Sequence, residues 1–185
     1  VLVPYRNRKA HLVRFLEHMI PFLLAQVGSS FHIWRSEQMD DQPFNRGMAL
    51  NVAFLCAQKQ FPNLTYVALH DVDMLPDHEV SYSFPERGWS HLATEVSQFG
   101  YRLPYADYAS GAFLIRLDLL RSMNGFSNRF RGWGGEDDDF FRRLRHVSKP
   151  SSSFSLHRPR AGHGRFLSLA QNHTPRDMTH HSDNV

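Results

Sequence analysis

Tyr66-Val67-Ala68-Leu69-His70-Asp71-Val72-Asp73 is the stretch on which the architecture turns. Four residues suited to a buried strand end abruptly in an Asp-x-Asp triplet, ahead of a loop that carries Pro76. A short apolar run bounded by turn residues reads as a buried strand. In open α/β sheets, ligands gather outside the carboxyl ends of such strands. Two carboxylates one residue apart at that place suit a hard divalent cation bridging to phosphate oxygens. Alone, Asp71-Val72-Asp73 also suits turn chemistry before the proline. A second cluster must decide.

Upstream, Val1-Leu2-Val3-Pro4 reads as a short buried strand and Tyr5-Arg6-Asn7-Arg8 as the loop that follows. From residue 9 to about 26, Leu12, Phe15, Leu16, Met19, Phe22 and Leu23 recur at helical spacing, and Pro21 is expected to kink or interrupt that helix. Phe31-His32-Ile33-Trp34 is a second strand. Phe44-Asn45-Arg46-Gly47 introduces a helix over about 48–58, with Leu50, Ala53, Phe54 and Ala57 along one face. Downstream, His91-Leu92-Ala93-Thr94 is a candidate short strand, Gly111-Ala112-Phe113-Leu114-Ile115 another, and 117–123 a short helix. Strands alternating with helices over the first half predict an α/β fold, a mostly parallel central sheet with helices on both faces.

The second cluster is Arg131-Gly132-Trp133-Gly134-Gly135-Glu136-Asp137-Asp138-Asp139-Phe140-Phe141. It reads as a flexible loop, 131–135, feeding the first turn of a helix that runs to about residue 146. Acidic side chains in a first turn suit the helix macrodipole and cap backbone donors. One or two acids satisfy a helix start, however, and four in a row exceed that need. The excess points to a site.

The totals set bounds. A chain of 185 residues fits one domain with a sizeable core, and 42% hydrophobic with 21% charged residues is ordinary for a globular protein. The formal charge of +3 is mild, and no basic stripe interleaved with aromatics is present, so nucleic acid is not an expected partner. The single cysteine, Cys56, excludes an internal disulfide framework and sits in an apolar run that reads as core. No apolar run approaches membrane-spanning length. The chain begins without Met inside an apparent strand, which reads as an excised piece.

These motifs, taken in order, resemble the β-1,4-galactosyltransferase family of nucleotide-sugar transferases. The resemblance runs through Val3-Pro4-Tyr5-Arg6-Asn7-Arg8, Phe44-Asn45-Arg46, Asp71-Val72-Asp73 and Phe99-Gly100-Tyr101-Arg102-Leu103-Pro104-Tyr105. It continues through Asn124-Gly125-Phe126 to the glycine-tryptophan-acid run ending at Asp139, and covers the chain to about His173. His70 and the Phe84-Pro85-Glu86 segment look most like the branch that adds galactose to xylose on proteoglycan cores. The resemblance implies a GT-A type fold, Mn²⁺ as cofactor, UDP-galactose as donor and a glycan or proteoglycan as acceptor. It further implies a Golgi-lumenal enzyme whose membrane anchor, and some C-terminal residues, lie outside this piece.

Residue by residue, the resemblance places Pro4, Arg6, Arg8, Phe44 and Arg46 around the uridine diphosphate, with Asp71 and Val72 beside the donor. Asp73 matches the metal ligand. Trp133 matches a mobile tryptophan that closes on the donor, freed by the glycines around it. Asp137 matches the general base, ionised without any unusual shift, and Glu136 the partner that binds acceptor hydroxyls. Asp138 and Asp139 are left to cap the helix or orient neighbours. Tyr108 falls at the donor-selecting position, where a tyrosine implies galactose over N-acetylgalactosamine. The remaining metal ligands fall in Gln171-Asn172-His173, which nominates His173 with Gln171, or His163 as a substitute.

Some positions depart from the family pattern. Gly47 stands for a common alanine and is expected to be harmless, Arg131 for a frequent aromatic, and Ser110-Gly111 for a Gly-Gly pair. The reading competes with transfer of N-acetylgalactosamine or glucose, with a non-catalytic glycan- or nucleotide-binding module, and with a metal-dependent phosphohydrolase.

Overall fold

A computed structural model describes residues 1–84, 88–148 and 155–169. In chain order the elements are β1 (Leu2–Tyr5), α1 (Lys9–Val27), β2 (Trp34–Glu37), α2 (Arg46–Gln60), β3 (Tyr66–His70) and β4 (Met74–Pro76). There follow β5 (Trp89–His91), β6 (Glu95–Val96), a 3₁₀ turn (Ser97–Phe99), β7 (Ala112–Arg116), α3 (Leu117–Ser122), α4 (Glu136–Val147), β8 (Leu156–His157) and β9 (Arg165–Ser168).

The central sheet has the order β2-β1-β3-β7-β5-β8. β1 lies parallel to β2 and β3, β7 is antiparallel to both β3 and β5, and β8 is parallel to β5. Among the described strands of this sheet, five therefore share one direction and β7 opposes them, a mixed sheet of mostly parallel sense.

Alternate residues of these strands feed two cores, as the two-residue period of a strand requires. Leu2, Val67, Leu69, Phe113 and Ile115 face α2, α3 and α4, while Val3, Tyr5, Ala68, Ala112 and Leu114 face α1. Helices cover both faces, as the alternation of elements predicts. A second sheet, β4-β9-β6, closes over the α1 side of the molecule, with Met74, Val96 and Phe166 in that core.

Four expectations need correction. The second strand lies at Trp34–Glu37, three residues beyond the Phe31-to-Trp34 run, because its Leu2↔Trp34 register begins only there. α1 continues through Pro21. Pro21 and Glu17, whose carbonyl loses its amide donor, both lie on the solvent side, so water satisfies the freed group. Cys56 is exposed, not core: α2 turns Ala53, Phe54 and Ala57 inward and leaves Val52, Leu55 and Cys56 outside. The strand expected at His91-Leu92-Ala93-Thr94 lies at Trp89–His91, where β5 pairs with β7.

Candidate active site

The Asp71-Val72-Asp73 turn begins where β3 ends. The Asp71 amide donates to the Gly111 carbonyl at 2.8 Å, and the Asp71 carbonyl accepts the Met74 amide at 3.3 Å. The Asp73 carbonyl accepts the Leu169 amide from the end of β9 at 2.7 Å, so both sheets anchor the turn. Val72 is buried in the α1-side core, which leaves Asp71 and Asp73 projecting from the same turn.

The acidic helix comes to this turn through one side chain. Arg46, the first residue of α2, donates from Nε to Asp71 Oδ1 and from Nη1 to Asp137 Oδ1, each at 2.7 Å. Asn45 aims it: this fully buried residue caps α2 by accepting the Met48 amide at 2.8 Å and donates to the Asn128 carbonyl at 2.7 Å. Burial alone disfavours the guanidinium charge, yet Asp137, Asp71 and Glu136 outweigh it and hold Arg46 more firmly protonated than usual. Its remaining nitrogen, Nη2, is buried with no hydrogen-bond partner among the described residues.

Asp137 occupies the first turn of α4. Burial pushes its carboxyl up to about 7, with Glu136 and Asp71 adding to the rise while Arg46 and a hydrogen bond from the Ser110 hydroxyl oppose it. The expectation of an ordinary carboxylate is thus corrected: a desolvated acid beside two others gains a proton more readily. The other acids have separate partners. Asp138 accepts from the Tyr105 hydroxyl at 2.8 Å, and Asp139 from Arg143 Nε at 2.9 Å one turn on. None caps the helix, because the cap position is Gly135 at φ 87°, a left-handed backbone that leaves no side chain for the purpose.

Ser110 joins this network from the other side. Its hydroxyl also hydrogen-bonds Tyr108, and its carbonyl accepts from His91 Nε2 at 3.0 Å. Tyr108 packs edge-on against Tyr105 and Phe99, within the field of Asp137 and Asp71. Neither Ser110 nor His91 stood out in the sequence as a site residue. Their signal, a serine two residues after Tyr108 and a histidine in a strand, is visible only when β5 and β7 pair.

The residues matched to the nucleotide lie along one edge. Pro4 is buried in β1 opposite Ser36, Arg6 donates to the Gln42 carbonyl, and Arg8 pairs with Asp73 at 3.7 Å. The Phe44 carbonyl accepts the Gly132 amide at 2.9 Å, which docks the glycine-tryptophan loop against this edge. Trp133 on that loop is 42% exposed. Glu136 stands beside Asp137 at the start of α4. Gln171 and His173 lie outside the described residues.

The donor set fits a divalent cation as far as it is described. Burial first, and Asp71 second, raise the affinity of Asp73 for a proton, and Arg8 offsets this only in part. Asp71 and Asp73 at a strand end offer hard carboxylate oxygens of the kind a divalent cation takes. No cluster of three histidine, cysteine or acidic side chains able to hold a metal occurs among the described residues, so further ligands must come from elsewhere. His163, the substitute ligand, lies 3.6 Å from Glu79.

Comparison with known proteins agrees with this geometry. Residues 1–84 match the family model described as the N-terminal region of glycosyl transferase group 7, and 90–171 the one described as the N-terminal domain of galactosyltransferase. The chain is 36% identical over 173 residues to beta-1,4-galactosyltransferase 5 of Sus scrofa, covering 94% of this chain and 43% of that one. It is 37% identical over the same length to beta-1,4-galactosyltransferase 6 of Rattus norvegicus, covering 94% and 44%. The chain thus spans less than half the length of these curated relatives.

Among solved structures, it superposes on the catalytic domain of Drosophila beta1,4galactosyltransferase 7 in complex with xylobiose. The TM-score is 0.77 and the identity 32%, over 95% of this chain and 72% of that one. A mutant of the same Drosophila protein, solved with manganese, UDP-Gal and xylobiose, gives a TM-score of 0.75 at 32% identity, with the same coverage. The architecture is that of the GT-A glycosyltransferases. With two consecutive family models spanning nearly its whole length and a related catalytic domain matched over most of its own, the chain belongs to the β-1,4-galactosyltransferase family.

Proposed function

We propose that the protein transfers galactose from UDP-galactose to a hydroxyl of a glycan acceptor, forming a β-1,4 linkage with inversion at the anomeric carbon and using Mn²⁺. The observation that carries this reading is the double hydrogen bond of Arg46, which ties the Asp71-Val72-Asp73 turn to Asp137 in one buried network. The Drosophila relative solved with manganese, UDP-Gal and xylobiose supports the same donor, metal and acceptor class.

In this reading Asp73 holds the metal with His173 and Gln171, and Asp71 lies beside the donor. Arg6 and Arg8 face the diphosphate, while Pro4, Phe44 and the Val72 backbone line the nucleotide. The metal, when bound, neutralises the charge that develops on the departing UDP. Asp137 takes the proton of the acceptor hydroxyl as its oxygen attacks. A carboxyl with a pKa of about 7 is a better proton acceptor than an ordinary one and remains substantially ionised at neutral pH. Arg46 keeps that carboxylate aimed. Glu136 binds acceptor hydroxyls, Tyr108 limits the donor to galactose, and Trp133 closes over it on its glycine-rich loop. The family resemblance supports a Golgi-lumenal setting for this chemistry. No helix among the described residues is long and apolar enough to cross a membrane.

The test is UDP release from UDP-galactose with Mn²⁺, with and without xylose, glucose and N-acetylglucosamine acceptors. Mn²⁺-dependent release stimulated by an acceptor is the expected result. Binding of UDP-galactose without stimulated release overturns it in favour of a non-catalytic module.

A further inference from the structure

His70 is the last residue of β3, paired with Ala112, and its ring is fully buried among Phe15, Tyr82 and Phe166 at centroid distances of 5.1, 6.0 and 6.0 Å. Both ring nitrogens are engaged: Nδ1 lies 2.8 Å from the Asp71 carbonyl oxygen and Nε2 2.6 Å from the Tyr82 hydroxyl. A carbonyl only accepts, so Nδ1 carries the hydrogen. The neutral imidazole then presents a lone pair at Nε2, which accepts from Tyr82.

Tyr82 is itself fixed. Its amide donates to Gln26 Oε1 at 2.9 Å, and Gln26 Nε2 donates to the Val80 carbonyl at 2.7 Å, which fastens this segment to the C-terminal part of α1. A continuous chain of hydrogen bonds therefore runs from α1 through Tyr82 and His70 to the first residue of the Asp-Val-Asp turn. Among the described residues the Asp71 carbonyl has one other donor, the Met74 amide at 3.3 Å, a longer and weaker bond than the 2.8 Å contact with His70. The ring holds the Asp71–Val72 peptide plane, through which the turn runs from Asp71 towards Asp73.

We propose that His70, locked in its Nδ1–H form by Tyr82, is a positioning residue that sets the Asp71-Val72-Asp73 turn for a divalent cation. This rests on the metal reading of Asp73 given above. Removing an outer-shell hydrogen bond of this kind lowers metal affinity by roughly tenfold or more.

The experiment measures Mn²⁺ binding to the full chain in the presence of UDP, by the electron paramagnetic resonance of free Mn²⁺. An asparagine amide can place an N–H near the position of Nδ1–H, whereas a glutamine amide reaches toward the position of Nε2. His70→Gln is thus expected to bind Mn²⁺ roughly tenfold more weakly, and His70→Asn to keep most of the affinity. A second measurement needs no substitution at His70: ¹⁵N spectra of histidine-labelled protein should show His70 protonated at Nδ1, with that preference lost in Tyr82→Phe. Wild-type Mn²⁺ affinity in His70→Gln, or a proton on Nε2 in the unaltered protein, overturns the inference. Asp73→Asn separates the two layers. Weak Mn²⁺ binding there beside wild-type binding in His70→Gln removes this inference alone, and unchanged binding in Asp73→Asn removes the metal reading together with it.

Discussion

Arg46 Nη1 donates to Asp137 Oδ1 at 2.7 Å across 91 positions of sequence, and the same guanidinium holds Asp71 at an equal distance. One cation thus sits between the turn assigned to donor and metal and the helix assigned to the base. Truncating it leaves two carboxylates facing each other in a desolvated pocket. Breaking such a buried pair costs about 3–5 kcal/mol. Lysine, with a single nitrogen, cannot reproduce a fork that serves two acids at once. Arg46→Ala is expected to lose stability by about that amount in urea unfolding. Arg46→Lys should stay folded while UDP release falls on the order of 100-fold, about the loss expected when a catalytic group is misplaced by about an ångström. Near-wild-type release in Arg46→Lys would remove Arg46 from the mechanism.

The Ser110 hydroxyl opposes protonation of Asp137 by bonding to its ionised form. Without it the carboxyl takes up its proton at higher pH. The acidic limb of the kcat/KM profile, expected near pH 7 in the unaltered protein, should therefore move to higher pH in Ser110→Ala. A limb that stays in place shows that Asp137 does not set it.

Burial also depresses His91, to about 4, with Arg158 adding to the effect against the bond to the Ser110 carbonyl. An unfolded histidine titrates near 6.5, so acid protonates the unfolded chain first. The contribution is fully present above about pH 6.5 and is lost as the pH falls toward 4. It amounts to roughly 3 kcal/mol at the limit. Urea midpoints at pH 7.5 and 5.0 test this: the drop should be clear in the unaltered protein and smaller in His91→Phe.

Much of the fold was legible because its elements are long or sharply bounded. The apolar spacing of α1 and α2 and the run from Tyr66 to Leu69 each carry enough residues to show a period. The β4-β9-β6 sheet does not, since its strands have three, four and two residues. In the site, Asp71 and Asp73 announced themselves by standing at a strand end, and Asp137 by an excess of acid. The partners that tune them did not. Arg46 reads as a nucleotide-side residue, with no sign of its bonds to Asp71 and Asp137, until α2 and α4 meet, and Ser110 as a small loop residue until β7 pairs with β5. The elevated proton affinity of Asp137 follows from burial, which a helix-start motif does not reveal.

Gly47 reads in sequence as a harmless stand-in for a common alanine, and the packing leaves no room for that alanine. It is buried at the start of α2, where a Cβ would lie 2.7 Å from the Ser127 carbonyl oxygen and 3.0 Å from Phe126 Cβ. Backbone is the obstacle at the shorter distance, so no side-chain rotation relieves it. Phe126 in turn stacks on Phe140 of α4 with centroids 3.9 Å apart, and lies under the Arg46 guanidinium. Displacing the 126–127 segment would shift both. Overpacking of this sort costs about 1–3 kcal/mol. Gly47→Ala should lower the urea midpoint accordingly and weaken UDP release together with stability.

The four acids of α4 make the last prediction, because the geometry separates their duties. Asp137 shares Arg46 with the Asp71 turn, whereas Asp138 holds the Tyr105 hydroxyl at the opposite edge of the loop that carries Tyr108. Asparagine keeps the shape of either side chain but removes the charge and the capacity to take a proton. If Asp137 is the base, Asp137→Asn should lose kcat by roughly 100-fold to 10,000-fold, the usual worth of a positioned general base, while UDP-galactose still binds. Asp138→Asn retains an oxygen able to accept from Tyr105, so kcat should change little and any effect should fall on the KM of the acceptor. Steady-state kinetics of the two variants side by side decide the matter. Equal losses in kcat would mean that the acidic turn acts as a charged surface rather than through one chosen carboxylate.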